Sequence, residues 1–258
     1  MISLSVRAEM LKGFRAQLID PSSFLVGHWV QLGEKYSTEK SIEFAPDWVC
    51  FDLEHGMLSE EKLGQFLDYS WRHNKLPLVR VESDSELRLR KALEFGAAGL
   101  IVPNIKHKSQ WLQVQNSSLL APHGSRGLGY CPANDFGMDM ERFIDFYQSP
   151  LLIPIIESKE GLVNLPDILS AGRVDCVFIG PYDLTASLGI PGDFTNKVFE
   201  EAILQIQSIC SAHHVPFGIH SVTTDKQRLL DYRASGFTFC AYSTDAEMIR
   251  CAFEMAHL

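Results

Sequence analysis

Short apolar runs rich in Val, Ile, Leu and Phe recur along the chain, separated by stretches whose apolar residues fall at helical spacing. The runs are mostly continuous rather than alternating, which is how a strand covered on both faces looks in a parallel sheet under helices. The pattern predicts strands over 24–32, 47–53, 76–81, 99–103, 151–156, 174–179, 216–219 and 237–242. Between them it predicts a helix opened by Ser59, with Glu60 and Glu61 in its first turn and Leu63, Phe66, Leu67, Ser70 and Trp71 on one face. Further helices are expected over 84–95, 108–119, 159–170, 197–213, 224–235 and 244–256, and another, 5–18, precedes the first strand. One longer irregular stretch covers 122–137. No Pro/Gly/Ser-rich linker divides the chain, so 1–258 reads as a single domain. Eight strands alternating with helices over about 250 residues match a (β/α)8 TIM barrel. The rival, a doubly wound open sheet, usually carries G-x-G-x-x-G after its first strand. Gly27-His28-Trp29 is followed by no such turn, and the expected fold is the α/β barrel with an N-terminal helix.

Composition narrows the function. Of 258 residues, 46% are hydrophobic and 21% charged, which excludes disorder and low-complexity character. Lys and Arg number 23 against 32 Asp and Glu, a net charge of −9. No Lys/Arg run is long enough to follow a phosphate backbone, so no nucleic-acid partner is expected. An anionic substrate would need local positive charge or a metal against that overall field. The six cysteines (50, 131, 176, 210, 240, 251) form no C-x-x-C pair, and Cys50, Cys176, Cys240 and Cys251 lie in apolar runs. They read as reduced thiols of a cytoplasmic protein. The first residues do not read as a signal peptide, and no apolar run approaches the roughly 18 residues that span a bilayer.

In a barrel, chemistry sits at the C-terminal ends of the strands, and four places there interrupt apolar runs with ionisable groups. Asp52-Leu53-Glu54-His55 follows Trp48-Val49-Cys50-Phe51; each residue alone could be part of a helix-capping acidic loop, but three ionisable groups delivered by one buried strand are harder to explain that way. Arg80 sits inside Leu78-Val79-Arg80-Val81 and needs a partner, because a lone buried guanidinium is expensive. It is either an ion pair holding the barrel or an anion clamp. Glu157 ends the fifth strand and Asp183 follows the sixth, 26 residues later, one αβ unit on. Adjacent strands lie about 4.8 Å apart, so these carboxylates can converge on one hard divalent cation, or be two unrelated helix caps. His28 and His220, polar residues in apolar strands, read as satisfied core histidines.

Taken together, Phe-Asp-Leu-Glu-His at 51–55, Leu-Glu-Phe-Gly-Ala-Ala-Gly-Leu-Ile-Val-Pro at 93–103, Gly-Ser-Arg-Gly-Leu-Gly at 124–129, Ile-Ile-Glu-Ser-Lys-Glu-Gly at 155–161 and Val-Phe-Ile-Gly-Pro-Tyr-Asp-Leu-Thr-Ala-Ser-Leu-Gly at 177–189 resemble the HpcH/HpaI aldolase/citrate lyase family. The resemblance runs from about 24 to 189, and Ser-Gly-Phe-Thr-Phe-Cys-Ala-Tyr-Ser-Thr-Asp at 235–245 looks like the family's final strand. It implies a class II pyruvate aldolase of the phosphoenolpyruvate/pyruvate-binding barrel type, which cleaves a 4-hydroxy-2-oxo acid reversibly to pyruvate and an aldehyde through a metal-stabilised enolate. By motif position, Glu157 and Asp183 match the ligands of a divalent cation (Mg2+ or Mn2+, or Co2+). His55 matches the acid/base histidine, and Arg80 the arginine on the ketoacid oxygens. Trp29, Gly180, Pro181 and Tyr182 fall where substrate is bound, and Asp52 and Glu54 where supporting acids stand. Glu94 takes the place of a family Asp that reaches the histidine from a neighbouring subunit, which implies a homo-oligomer, a hexamer by resemblance. Ile155 stands where several relatives have Gln. The strand ends hold no lysine placed for a Schiff base: Lys106 lies past the fourth strand and Lys159 in a helix start. The alternatives are a related carbon–carbon lyase acting on an acyl-CoA or a phosphoenolpyruvate-like substrate, and a ketoacid-binding barrel without catalysis.

Overall fold

The computed structural model describes residues 2–138, 140–147 and 149–254. Eight parallel strands close into a barrel in chain order: β1 (Leu25–Val30), β2 (Trp48–Asp52), β3 (Leu76–Arg80), β4 (Gly99–Val102), β5 (Leu151–Ile156), β6 (Val177–Ile179), β7 (Phe217–Ser221) and β8 (Phe239–Tyr242), with β8 returning to β1. All eight expected strands are present, several trimmed at their ends. The register Asp52↔Arg80 between β2 and β3 sets the two charged strand ends side by side. Strands β2 to β6 are buried at every position, as their unbroken apolar runs require.

The barrel interior is filled by aromatic rings. Trp48 stacks on Phe239 at 4.2 Å between centroids, and Phe178 meets Phe239 edge-on at 5.6 Å. The Trp48 ring lies where β1 carries Gly27: a Cβ there would fall 2.1 Å from the indole, so the tryptophan fits only because that strand position has no side chain.

Helix α1 (Leu4–Ile19) precedes the barrel, burying Leu4, Leu11, Phe14 and Leu18. The helix opened by Ser59 is α3 (Glu60–Arg72); Ser59 Oγ accepts from the Lys62 N–H, and the buried face is Leu63, Phe66, Leu67, Ser70 and Trp71. Then come α4 (Glu86–Glu94), α5 (Lys108–Ser118), α10 (Lys197–Ala212), α11 (Lys226–Ala234) and α12 (Asp245–Glu254). The expected end of the last helix, 255–256, lies outside the described residues.

The structure corrects the pattern in four places. Helix α2 (Lys35–Phe44) fills the first connection, where only Thr38 and Ile42 are buried, too few to leave an apolar stripe in the sequence. The expected helix over 159–170 is two, α7 (Lys159–Val163) and α8 (Leu165–Leu169), because Pro166 lacks the N–H that would continue the first into the second. Helix α9 (Pro181–Ser187) begins immediately after β6. The irregular stretch ends in a 3-10 turn, Pro132–Gly137, followed by α6 (Met140–Tyr147).

Candidate active site

At the C-terminal ends of the strands lies a cavity of about 690 Å³. Its lining brings together Trp29, His55, Arg80, Glu157, Gly180, Pro181, Tyr182 and Asp183, the residues that the sequence singled out on five different strands or their loops.

Asp52 anchors one side. Its carboxylate is fully buried at the end of β2 and accepts six hydrogen bonds. Oδ1 takes the Arg80 Nε–H at 2.8 Å and the backbone N–H groups of Glu54 and His55 at 3.1 and 3.2 Å. Oδ2 takes Arg80 Nη2 at 2.6 Å, Gln31 Nε2 at 3.1 Å and Trp29 Nε1 at 3.2 Å. Burial pushes the Asp52 pKa up, but the hydrogen bonds and charge of Arg80, with Gln31 and the His55 N–H, outweigh it and hold the carboxylate below its ordinary value. Arg80 also reaches Glu54, with Nη1 2.9 Å from Oε2. Burial opposes the charged guanidinium, while Asp52 and then Glu54 raise its pKa above the ordinary value. Three of the five guanidinium N–H groups are thereby engaged. Two remain for a ligand. The guanidinium lies over the Trp29 ring, 5.2 Å from its centroid, so the arginine is fixed in the plane as well as along its edge.

Across the cavity, Glu157 is almost fully buried. Asn104, in the left-handed backbone region at φ 56°, turns its N–H onto Oε1 at 2.6 Å. Oε2 packs against Gly180, where a Cβ would lie only 2.7 Å away, so the Gly-Pro turn after β6 is what lets the carboxylate sit there. Burial raises the Glu157 pKa to about 7; the Asn104 N–H opposes this, and the charges of Asp183 and Glu54 add to it. Asp183, in the first turn of α9, lines the same cavity. Two acids crowded together, one with an oxygen that no hydrogen bond satisfies, form a donor set that fits a hard divalent cation. Among the described residues no group of three or more His, Cys, Asp or Glu could close around a metal. A cation held by this pair would need water or substrate oxygens to complete its coordination.

Glu94 is not in this cavity. It ends α4 at the opposite face, where β4 begins, with Arg90 Nε 3.8 Å away. His28 is the core histidine expected, its Nδ1 3.0 Å from the Ser41 carbonyl. His220 is also satisfied, its Nε2 3.0 Å from the Ser243 carbonyl, but it lines the cavity beside Trp29 as well. Sequence reasoning also passed over Gln31, Thr223, Thr244, Glu247 and Arg250 in the lining. Gln31 and His220 carried a signal, a polar side chain inside an apolar strand. The Asn104 contact carried none, being made by the backbone.

A cavity lined by ionisable groups at the C-terminal mouth of a (β/α)8 barrel stands where enzymes of the barrel class carry their active sites. Residues 25–252 match the HpcH/HpaI aldolase/citrate lyase family. The chain belongs to that family and is a carbon–carbon lyase. It is 30% identical over 229 residues to the 5-keto-4-deoxy-D-glucarate aldolase of Shigella boydii serotype 18, covering 88% of each chain. A solved HpcH/HpaI aldolase/citrate lyase family protein from Burkholderia cenocepacia J2315 superposes with a TM-score of 0.88 at 27% identity, over 95% of this chain and 97% of that one. The HpcH/HpaI aldolase of Desulfitobacterium hafniense DCB-2, at 19% identity and a TM-score of 0.84 over 91% and 92% of the two chains, shares the fold.

Proposed function

We propose that this enzyme is a class II pyruvate aldolase, which interconverts a 4-hydroxy-2-oxo acid with pyruvate and an aldehyde. The observation that carries the reading is the pairing of Glu157 and Asp183 opposite an arginine with two unengaged N–H groups, all in one cavity. A divalent cation held by Glu157 and Asp183 would act as a Lewis acid on a bound 2-oxo acid and make its methyl protons more acidic. Arg80 binds the oxygens of the ketoacid and stabilises the negative charge that grows on them as the carbon–carbon bond breaks. Asp52 and Glu54 hold that guanidinium still, so it spends no reorganisation during the reaction. His55, in the loop after β2, moves the proton at the aldehyde end, directly or through a water. Trp29 forms the apolar wall against which the three-carbon unit packs. No lysine lines the cavity among the described residues, which favours this scheme over a Schiff base. Glu94 can assist His55 only from a second copy of the chain, and the working form is therefore a homo-oligomer.

The test is exchange of the pyruvate methyl protons in D2O, which needs no knowledge of the aldehyde. Metal-stripped enzyme is expected to be inert and to recover on adding Mg2+ or Mn2+. Full exchange in EDTA, or trapping of pyruvate on a lysine by borohydride, refutes the proposal.

A further inference from the structure

Trp29 packs against two groups of opposite hydrogen-bonding character. Arg80, a source of N–H donors, lies over its ring. His220 stacks on the same indole at 4.8 Å between centroids, tilted by 30°. Its Nε2 is 3.0 Å from the Ser243 carbonyl oxygen. A carbonyl only accepts, so Nε2 carries the proton. Burial keeps the ring neutral, lowering its pKa to about 4 against the pull of that same hydrogen bond. Nδ1 is therefore a lone pair. It meets no hydrogen-bond partner among the described residues, on a ring that lines the cavity.

A group with so low a pKa is a poor general base at neutral pH. Its lone pair also repels a carboxylate or a carbonyl oxygen, so the ketoacid oxygens belong with Arg80. What Nδ1 accepts is a donor, and the substrate class that supplies one is a hydroxylated aldehyde. We propose that His220 accepts a hydrogen bond, through Nδ1, from a hydroxyl group on the aldehyde half of the substrate and so selects hydroxyaldehydes over their deoxy counterparts. This rests on the aldolase reading above and names its second substrate by chemical class. The volume agrees: about 690 Å³ exceeds what pyruvate alone fills, and Gln31, Thr223 and Thr244 add polar groups to the same lining.

The test compares aldol addition of pyruvate to glycolaldehyde and to acetaldehyde, and to glyceraldehyde and to propanal, in wild type, His220→Phe and His220→Asn. Pyruvate methyl exchange is measured on each. Phenylalanine keeps a ring against Trp29 but has no acceptor. Asparagine can donate to the Ser243 carbonyl and still present an oxygen. Intrinsic aldehyde reactivity cancels when the hydroxy/deoxy ratio of kcat/KM is compared between variants. One neutral hydrogen bond corresponds to about a tenfold ratio. The wild-type ratio is expected to fall by about that factor in His220→Phe and to recover in part in His220→Asn, with exchange within a few-fold throughout. A packing role alone would slow both aldehydes equally. If His220→Phe does not fold, the smaller His220→Leu makes the same comparison. An unchanged ratio with exchange intact overturns the assignment of His220 alone. Loss of exchange in the variants places His220 with the ketoacid and also overturns it. Absence of exchange in metal-supplied wild type overturns the aldolase reading, and this proposal with it.

Discussion

Replacing Asp52 by Asn changes one atom and one charge, and the structure says what that costs. Each carboxylate oxygen accepts from three donors: Oδ1 from Arg80 Nε and two backbone N–H groups, Oδ2 from Arg80 Nη2, Gln31 and Trp29. An amide turned either way sets its NH2 against three donors, so no rotamer rescues it. The substitution also leaves a buried guanidinium without its principal anion. Breaking a buried ion pair from one side costs about 3–5 kcal/mol. Arg80 keeps Glu54 at 2.9 Å, which places the expected loss near the low end, about 3 kcal/mol. For a chain of this size that lowers Tm by about 6–12 °C. The sign with pH follows from the direction of the shift. Asp52 is held below its unfolded value, so its contribution is complete above the ordinary carboxylate pKa and is lost as pH falls through the lower folded value. The gap between wild type and Asp52→Asn should therefore be constant near neutrality and close on acidification. Guanidinium denaturation of metal-free protein across pH measures both. A loss below about 1 kcal/mol, the range of an exposed pair, would refute the reasoning.

Two further outcomes follow from the other wall of the cavity. Glu157 has its pKa raised from 4.5 to about 7, chiefly by burial, so the folded protein keeps a proton that the unfolded chain gives up in that window, and stability falls as pH rises through it. In EDTA, Glu157→Gln should match wild type near pH 4 and exceed it by about 2–3 kcal/mol at pH 8, while losing pyruvate exchange; equal denaturation midpoints at pH 8 would contradict the burial of an ionised Glu157. Gly180→Ala puts a Cβ 2.7 Å from Glu157 Oε2 and should cut exchange by about 10²-fold through misplacement of that carboxylate, with a fold still native by circular dichroism; a wild-type rate would show that the strand-end contact does not hold Glu157.

The barrel was legible because strands β2 to β6 are buried at every position and are therefore written as nearly continuous apolar runs. The site was legible for a related reason: Asp52, Arg80 and Glu157 are charges where those runs demand none, and a charge in such a place has to be answered by structure. What escaped has equally physical causes. Helix α2 buries two side chains and leaves no stripe to read. Asn104 serves Glu157 through a backbone N–H, which any residue could supply, and the sequence is silent about it. His220 was visible but only half read: it satisfies a core hydrogen bond on Ser243, as an imidazole in an apolar strand usually does, and it lines the cavity as well. Glu94 shows the limit of reading motif position alone: the resemblance brought it to the site, and the fold puts it at the end of α4, outside the cavity lining.

The distribution of charge around the mouth explains why the two walls need each other. On the β1–β3 side, Arg80 is enclosed by Asp52 and Glu54, so its positive charge is more than matched before any ligand arrives. On the β5–β6 side, Glu157 and Asp183 face the cavity, and among the described residues neither forms a salt bridge. In a chain of net charge −9, this cavity by itself repels a carboxylate. On the aldolase reading, Arg80 would therefore orient a ketoacid more than recruit one, because its charge is already balanced by Asp52 and Glu54. Recruitment must come from the opposite wall, where the acids would have to be neutralised by a cation before an anionic substrate gains by entering. The raised pKa of Glu157 comes chiefly from its burial, with the charges of Asp183 and Glu54 adding to it. On the aldolase reading, the closeness of the two carboxylates would tie ketoacid binding to the cation they hold rather than to the arginine.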